Sequence, residues 1–153
     1  MNRLYIYFIS ITLIFFASKA IAKEVNINKA REVAKNFHYQ NKLECNSDKA
    51  ATVSIKNEFI LKSNSQNHKI QQTLIYIFNF ENDGFVIVSA EDKTIPILGY
   101  SAKGKYENNN PPPAFGWIID SYKKQIVFIK EKITVVPQEI TEAWQEYSTR
   151  NGG

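Results

Sequence analysis

The side chains that most often carry out nucleophilic or acid–base chemistry are scarce in this sequence. Its 153 residues include one cysteine, Cys45, and two histidines, His38 and His68. A thiol nucleophile needs a nearby base that keeps it as a thiolate. Cys45 lies in the polar stretch LECNSDKA, and the two histidines belong to unrelated segments. We therefore interpret Cys45 as a small buried residue or one half of an intermolecular bridge, rather than as a nucleophile.

Other patterns that indicate chemistry are also missing. The sequence contains no Gly-rich phosphate loop, no histidine pair at ligand spacing and no serine or cysteine in a nucleophile elbow. Its carboxylates are expected in solvated turns or on helix faces, as at Glu91, Asp92, Glu131 and Glu142. A metal site would have to combine two histidines, one cysteine and scattered acids. The sequence predicts no metal and no cofactor.

Residues 1–22 have the composition of a secretory signal. Arg3 supplies a basic start, residues 4–17 are apolar and uncharged, and small residues at Ala20 and Ala22 suit a signal peptidase. The apolar run is shorter than the roughly 20 residues that span a bilayer, which favours cleavage over a retained anchor. We expect cleavage after Ala22 and a secreted or periplasmic chain, with no membrane association afterwards.

The charge of the chain does not indicate a nucleic-acid partner. The net charge is +4 and the pI about 9.1. Removing Arg3 and Lys19 with the signal leaves 17 basic residues against 15 acidic ones, a net charge of +2. The charges are scattered, and the longest basic run is Lys123-Lys124. With one cysteine and no internal disulfide, the domain must depend on its hydrophobic core.

Hydrophobic periodicity predicts helices and strands in an α+β order. Helices are predicted over residues 26–39, 114–133 and 141–147, and strands over 51–55, 58–62, 73–80, 85–90 and 95–100. The strands at 73–80 and 85–90 are apolar on both faces, so we expect them to be central and covered on each side. Asp83-Gly84 favours a tight hairpin between them. The expected fold is an antiparallel β-sheet packed with an N-terminal helix and a long C-terminal helix, and His38 would lie near the C-terminal end of the first helix.

Between the last strand and the long helix lies the irregular segment AKGKYENNNPPPAFGW, residues 102–117. Its three prolines fix φ and bias the preceding residues to extended geometry, so the segment should be partly rigid. Asparagine amides supply donors and acceptors for a partner. A second interpretation is an ordinary linker that starts the long helix, with Pro113 in its first turn.

The run YIFNFENDGFVIVSAEDKTIPILGYSAKGKYENNN, residues 76–110, resembles the pro-segment of streptopain-type cysteine peptidases and the free-standing inhibitors that share its fold. GFVIVS at 84–89 and ILGYS at 97–101 match the family pattern, and AREVAKNF and SYKKQI fit it as well. The resemblance covers most of residues 27–133. It implies the fold more directly than the function, because the matching residues belong to the core.

In the peptidases that this chain resembles, a papain-like catalytic domain follows the pro-segment. Here the resemblance implies a pro-segment-like domain at residues 23–136, and a tail at 137–153 where a catalytic domain would otherwise begin. The chain is therefore expected not to be an enzyme, but an inhibitor that acts in trans on a streptopain-type cysteine peptidase in a 1:1 complex.

The family's loop after ILGYS occupies the substrate cleft of the peptidase. Carried to this sequence, the resemblance implies these contact residues: Lys105, Tyr106, Glu107, Asn108, Asn109, Asn110, Pro111, Pro112 and Pro113. Two alternatives stay open. The chain could be an orphan pro-domain that assists the folding of a separately encoded peptidase, or a secreted binding module unrelated to peptidases.

Overall fold

The computed structural model describes residues 24–45, 53–63, 71–109 and 111–149, which form three α-helices and one four-stranded antiparallel sheet. The elements, in chain order, are α1 (Ile27–Cys45), β1 (Ile55–Lys62), β2 (Thr73–Phe80), β3 (Phe85–Ser89), β4 (Ile97–Ser101), α2 (Pro113–Lys132) and α3 (Gln138–Thr149). The α+β class and the antiparallel sheet between an N-terminal and a long C-terminal helix are confirmed. The predicted signal at residues 1–22 and His68 lie outside the described residues.

The sheet is a meander in which each strand pairs with its neighbour along the chain, in the order β1-β2-β3-β4. The two central strands are buried almost throughout, as their apolar faces predict. The turn between them has positive φ at both predicted positions, 77° at Asp83 and 89° at Gly84. Because alternate residues of a strand point to opposite faces, the sheet has two apolar surfaces.

Each apolar surface of the sheet is covered by different elements. On one face α1 and α3 cover Tyr76, Phe78 and Phe80 of β2, together with residues of β3. On the other face α2 and the segment before it cover Ile75 and Ile77 of β2. The central strands are therefore buried from both sides. Burying apolar surface of this kind is the main stabilising contribution in a domain without a disulfide.

Three elements extend beyond their predicted bounds. β1 is one continuous edge strand rather than two short ones, because its polar central residues pair with β2 instead of forming a turn. α1 continues to Cys45, and Lys42 in its last turn donates a hydrogen bond from Nζ to the Asn82 carbonyl (2.9 Å). α3 is 12 residues long. Its length follows from packing against α1, which the local sequence pattern does not show.

α3 packs the last described residues against α1, at the start of the described chain. Trp144 is 4 % exposed in the core beside α1, and its indole N–H donates to the Thr94 carbonyl at 2.8 Å. Asn36 of α1 donates from Nδ2 to the Tyr147 carbonyl at 2.6 Å. The ring of Phe37 packs edge-on against Tyr147. Much of the segment expected as a tail, residues 137–153, is thus part of the packed fold.

The expectation for Glu91 was wrong. Its side chain is 1 % exposed rather than solvated, because the turn after β3 packs beneath the C-terminal end of α2. Glu91 Oε1 accepts a hydrogen bond from the Lys93 amide (3.4 Å), and Lys130 Nζ of α2 lies 4.0 Å from Oε2. Burial raises the pKa of this carboxyl, while the hydrogen bond from Lys93 acts in the opposite direction.

The expectation for His38 as a polar residue at a helix end was also wrong, because α1 continues for seven residues past it. The imidazole is 4 % exposed and stacks on Phe80 with ring centroids 3.9 Å apart and planes 5° apart. Its Nε2 has no hydrogen-bond partner. Burial, aided by the charge of Lys42, lowers the pKa of His38 to about 4.

We expect His38 to make the protein sensitive to acid. The unfolded chain, with an ordinary pKa near 6.5, binds a proton before the folded chain does. The contribution of His38 to the free energy of unfolding should therefore fall by about 3 kcal/mol as the pH is lowered from about 6.5 to about 4. Below about pH 4 it should stay constant. Denaturant unfolding of wild type and His38→Phe between pH 7.5 and 3.5 measures this. The variant keeps a ring on Phe80, so the difference between the two curves should shrink or reverse in acid; parallel curves would contradict the assignment.

No helix in the described segments is long and apolar enough to cross a membrane.

Candidate functional site

The loop that joins β4 to α2 presents the residues that the resemblance assigns to a partner. We call residues 105–113 the proline loop. Its exposed members are Lys105, Glu107, Asn108, Asn109, Pro112 and Pro113, whereas Pro111 is half-buried and Tyr106 is buried. Asn110 lies outside the described residues. The structure thus brings most of the predicted contact residues to one exposed segment at the end of the sheet.

Asn79 of β2 holds the first half of the proline loop. Its side chain, 2 % exposed, donates from Nδ2 to the Tyr106 carbonyl and accepts at Oδ1 from the Tyr106 amide, both at 2.9 Å. The primary amide thus satisfies both backbone groups of Tyr106. Buried backbone groups without a partner are strongly unfavourable, so this pair of bonds keeps the loop on the sheet.

Tyr106 adds a packing contact to the same attachment point. Its ring meets Phe59 of β1 edge-on at 4.9 Å and lies 5.6 Å from the ring of Phe115 in α2. The hydroxyl donates to Asn108 Oδ1 at 3.0 Å, and burial raises the pKa of the phenol. Because only 6 % of Tyr106 is exposed, its position suits support of the loop rather than contact with a partner.

The β2–β3 turn supports the chain just before the proline loop. The Gly84 amide donates to the Gly104 carbonyl (3.0 Å), and the Gly104 amide donates to Asp83 Oδ1 (2.8 Å). A Cβ on Gly84 would lie 2.5 Å from the Ser101 carbonyl oxygen. The backbones approach so closely that only glycine fits at this position. The sequence indicated Gly84 as a turn residue, but not this second contact.

The second half of the proline loop runs directly into α2. Pro112 has φ −50° and ψ 138°, and its carbonyl accepts hydrogen bonds from the amides of Phe115 (2.9 Å) and Gly116 (3.0 Å). Pro113 occupies the first helical position, where its missing N–H costs no intrahelical bond. The prolines therefore start the helix, and in doing so they also fix where the loop ends.

A shallow pocket of about 290 Å³ lies between the two halves of the loop. Its lining is largely apolar, with Lys105 and Glu107 as the charged members; the residues that line it are Phe85, Lys105, Tyr106, Glu107, Pro111, Pro112 and Phe115. Such a surface offers two charged side chains, Lys105 and Glu107, around an apolar floor. It is equipped for recognition rather than for reaction.

The described residues include no group of three or more His, Cys, Asp or Glu side chains that could hold a metal ion. Cys45 is the last residue of α1, and His38 is stacked in the core. Cys45 and His38 thus take no part in the proline loop.

The described residues thus form a small α+β domain in which both ends of an exposed loop are fixed to the fold. Comparison with known protein families identifies the class of protein. Residues 22–126 match the model of the Spi protease inhibitor family, which is more than half of the chain. The protein belongs to the Spi protease inhibitor family.

A curated relative is the thiol protease/hemagglutinin PrtT of Porphyromonas gingivalis, 28 % identical over 112 residues. The match takes in 72 % of this chain but 12 % of that protein, so the chain spans only a small part of its relative's length. No solved structure matches the chain. The predicted resemblance is confirmed, and membership of an inhibitor family confirms that the chain is not an enzyme.

Proposed function

We propose that this protease inhibitor acts on cysteine peptidases of the streptopain type and blocks their active-site cleft with the proline loop. The observation that carries the proposal is the pair of hydrogen bonds between the Asn79 side chain and the Tyr106 backbone, which holds the loop while Asn108 and Asn109 remain exposed. The name of the relative, a thiol protease, supports the cysteine class of the target.

The structure of the loop suits this role energetically. One end is attached to β2 through Asn79 and the other enters α2 at Pro113, so both ends of the loop are held in place before binding. A preorganised segment loses less conformational entropy when it docks, and more of its contact energy appears as affinity. The exposed amides of Asn108 and Asn109 can pair with polar groups of a cleft. One loop per chain gives the proposed 1:1 complex.

We also propose that residues 1–22 are a secretory signal removed after Ala22. Export would place the inhibitor in the periplasm or outside the cell, where it would meet an exported peptidase. Edman sequencing of the mature protein would test the cleavage position, with Lys23 as the expected first residue.

The direct test is a titration of residues 23–153 into an active streptopain-type peptidase, with papain in parallel. Loss of the first activity at one equivalent, with papain spared or much less affected, is the expected result. No inhibition of several peptidases of that type would reject the proposal. Increased recovery of refolded peptidase without inhibition would instead favour the folding assistant.

Replacing Asn108 and Asn109 together with glycine should weaken inhibition on the order of tenfold or more, because two polar contacts and the order of the loop are lost together. The inhibition constant and the denaturation midpoint measure the two expected effects, a large one on binding and a small one on stability. The double change Ala102→Gly/Lys103→Gly is the matched control, because it adds glycines to exposed backbone outside the proline loop. Equal inhibition by both double variants would exclude the loop tip as the contact.

A further inference from the structure

The outer face of α2 carries large apolar side chains that the fold does not use. Trp117 is 73 % exposed, Phe128 60 % and Ile118 39 %. The face of α2 that packs on the sheet contains Ile119 and Ile126, both buried. At 100° per residue, Trp117 points about 180° away from Ile126, and Phe128 lies within about 20° of Trp117. The two aromatic residues are therefore on the side of the helix that faces solvent.

This arrangement differs from the usual pattern of a helix packed on a sheet, whose outer face is polar. The other tryptophan shows the contrast. Trp144 is 4 % exposed, donates its indole N–H to the Thr94 carbonyl and has Lys29 Nζ 5.0 Å above its ring. Trp144 contributes to the core, whereas Trp117 leaves most of its apolar surface in water. A tryptophan this exposed beside the proposed contact loop is a candidate interaction residue.

Trp117 is continuous with the proline loop. Pro112 and Pro113, the last residues of the loop, are exposed, and Trp117 follows Pro113 by four residues. Side chains four residues apart on a helix are neighbours, about 6 Å apart at Cβ. Trp117 thus lies one helical turn from the loop, whereas Phe128 lies about 16 Å farther along the axis. A partner that covers the end of the loop would cover Trp117 and would not need to reach Phe128.

We infer that Trp117 is a second anchor for the peptidase, docking in an apolar depression at the rim of the cleft while the proline loop occupies the cleft itself. The inference rests on the proposed function and extends it to a residue outside the loop. Buried tryptophans are over-represented among the few residues that dominate the energy of protein–protein interfaces. The geometry then explains why α2 begins at the loop: the helix places the indole beside the segment that it orders.

The test compares Trp117→Ala with Phe128→Ala in inhibition of the same streptopain-type peptidase. Trp117→Ala should raise the inhibition constant on the order of 30-fold, and Phe128→Ala less than about threefold. Both side chains are exposed aromatics on the same face, so neither change should alter the denaturation midpoint appreciably. Trp117→Phe should recover part of the loss. In wild type, binding to the peptidase should shift the fluorescence emission of Trp117 to shorter wavelength. The same shift should be absent from the complex of Trp117→Phe.

Several results would overturn the inference. Unchanged inhibition by Trp117→Ala, with the Asn108/Asn109 variant still impaired, would leave the proposed function intact and remove Trp117 from the interface. Concentration-dependent dimerisation of wild type that Trp117→Ala abolishes, with inhibition unchanged, would assign the face to a second copy. Binding of wild type to anionic lipid vesicles that depends on Trp117, again with inhibition unchanged, would assign it to a membrane surface. If wild type inhibits no peptidase of this type, the proposed function fails and the inference fails with it.

Discussion

Replacing Asn79 with alanine should lower the free energy of unfolding by about 2–4 kcal/mol and weaken inhibition by tenfold or more. The substitution removes both partners of the Tyr106 backbone and leaves a buried N–H and a buried carbonyl unsatisfied, at about 1–3 kcal/mol each. The loop would then be free to leave the sheet, and docking would have to order it again. Denaturant unfolding and the inhibition constant, measured where the variant is more than nine-tenths folded, separate the two effects.

Asn57→Ala is the matched control for this prediction. Asn57 is the residue of β1 that pairs with Asn79 in the sheet, but its side chain is exposed. The same change there should alter stability by less than about 0.5 kcal/mol and leave inhibition unchanged. If Asn79→Ala destabilised the domain but inhibited as well as wild type, the attachment of the loop would be structural only. Our assignment of the hydrogen bonds to function would then be wrong.

Replacing Gly84 with alanine should destabilise the domain by about 3 kcal/mol or more and displace the start of the proline loop. Gly84 has φ 89°, and an added Cβ would lie 2.5 Å from the Ser101 carbonyl oxygen, so backbone must move. Both the positive φ and the contact are unfavourable for alanine. The movement would also break the hydrogen bond from the Gly84 amide to the Gly104 carbonyl. We therefore expect weaker inhibition in addition to the lower midpoint of unfolding.

Gly104→Ala separates the effect of the positive φ from the effect of the close contact with Ser101. Gly104 also has positive φ, 78°, but a Cβ there would have no atom within 4 Å. This variant should lose only about 1 kcal/mol, from the unfavourable backbone conformation alone. Equal losses for Gly84→Ala and Gly104→Ala would show that the close approach to Ser101 is relieved without strain, contrary to our expectation.

The central part of the fold could be predicted because its signals are local. Strand 73–80 is found at the predicted bounds, since alternating apolar faces and the Asp83-Gly84 turn are both visible within a few residues. The first turn of α2 was within one residue of the predicted start, because Pro113 marks it. The errors at His38 and Glu91 have a common cause. Their burial comes from elements distant in sequence, and periodicity reports which face is apolar but not what covers it.

At the candidate site, too, the local features could be predicted and the contacts between distant residues could not. The resemblance and the prolines pointed to residues 105–113, but neither indicated that Tyr106 would be buried or that Asn79 would hold it. One signal was present in the sequence: Asn79 is the polar residue within the otherwise apolar run IYIFNF, and a buried amide must have partners. Which partner it takes depends on contacts across 27 residues of chain. Trp117 also had a local signal that the predictions did not use, because at 100° per residue it falls outside the helical face of Ile119 and Ile126.

The contact between α3 and α1 also has a consequence for the order in which the domain is completed. The strands of the meander pair with sequence neighbours, so the sheet can form while later residues are still being synthesised. The hydrogen bond from Asn36 to the Tyr147 carbonyl spans 111 residues, and it can form only after Tyr147 has been synthesised. Until α3 arrives, Trp144 is missing from the face that α1 covers. We therefore expect the contacts of α3 to be the last to form, and to close the side of the core that α1 covers.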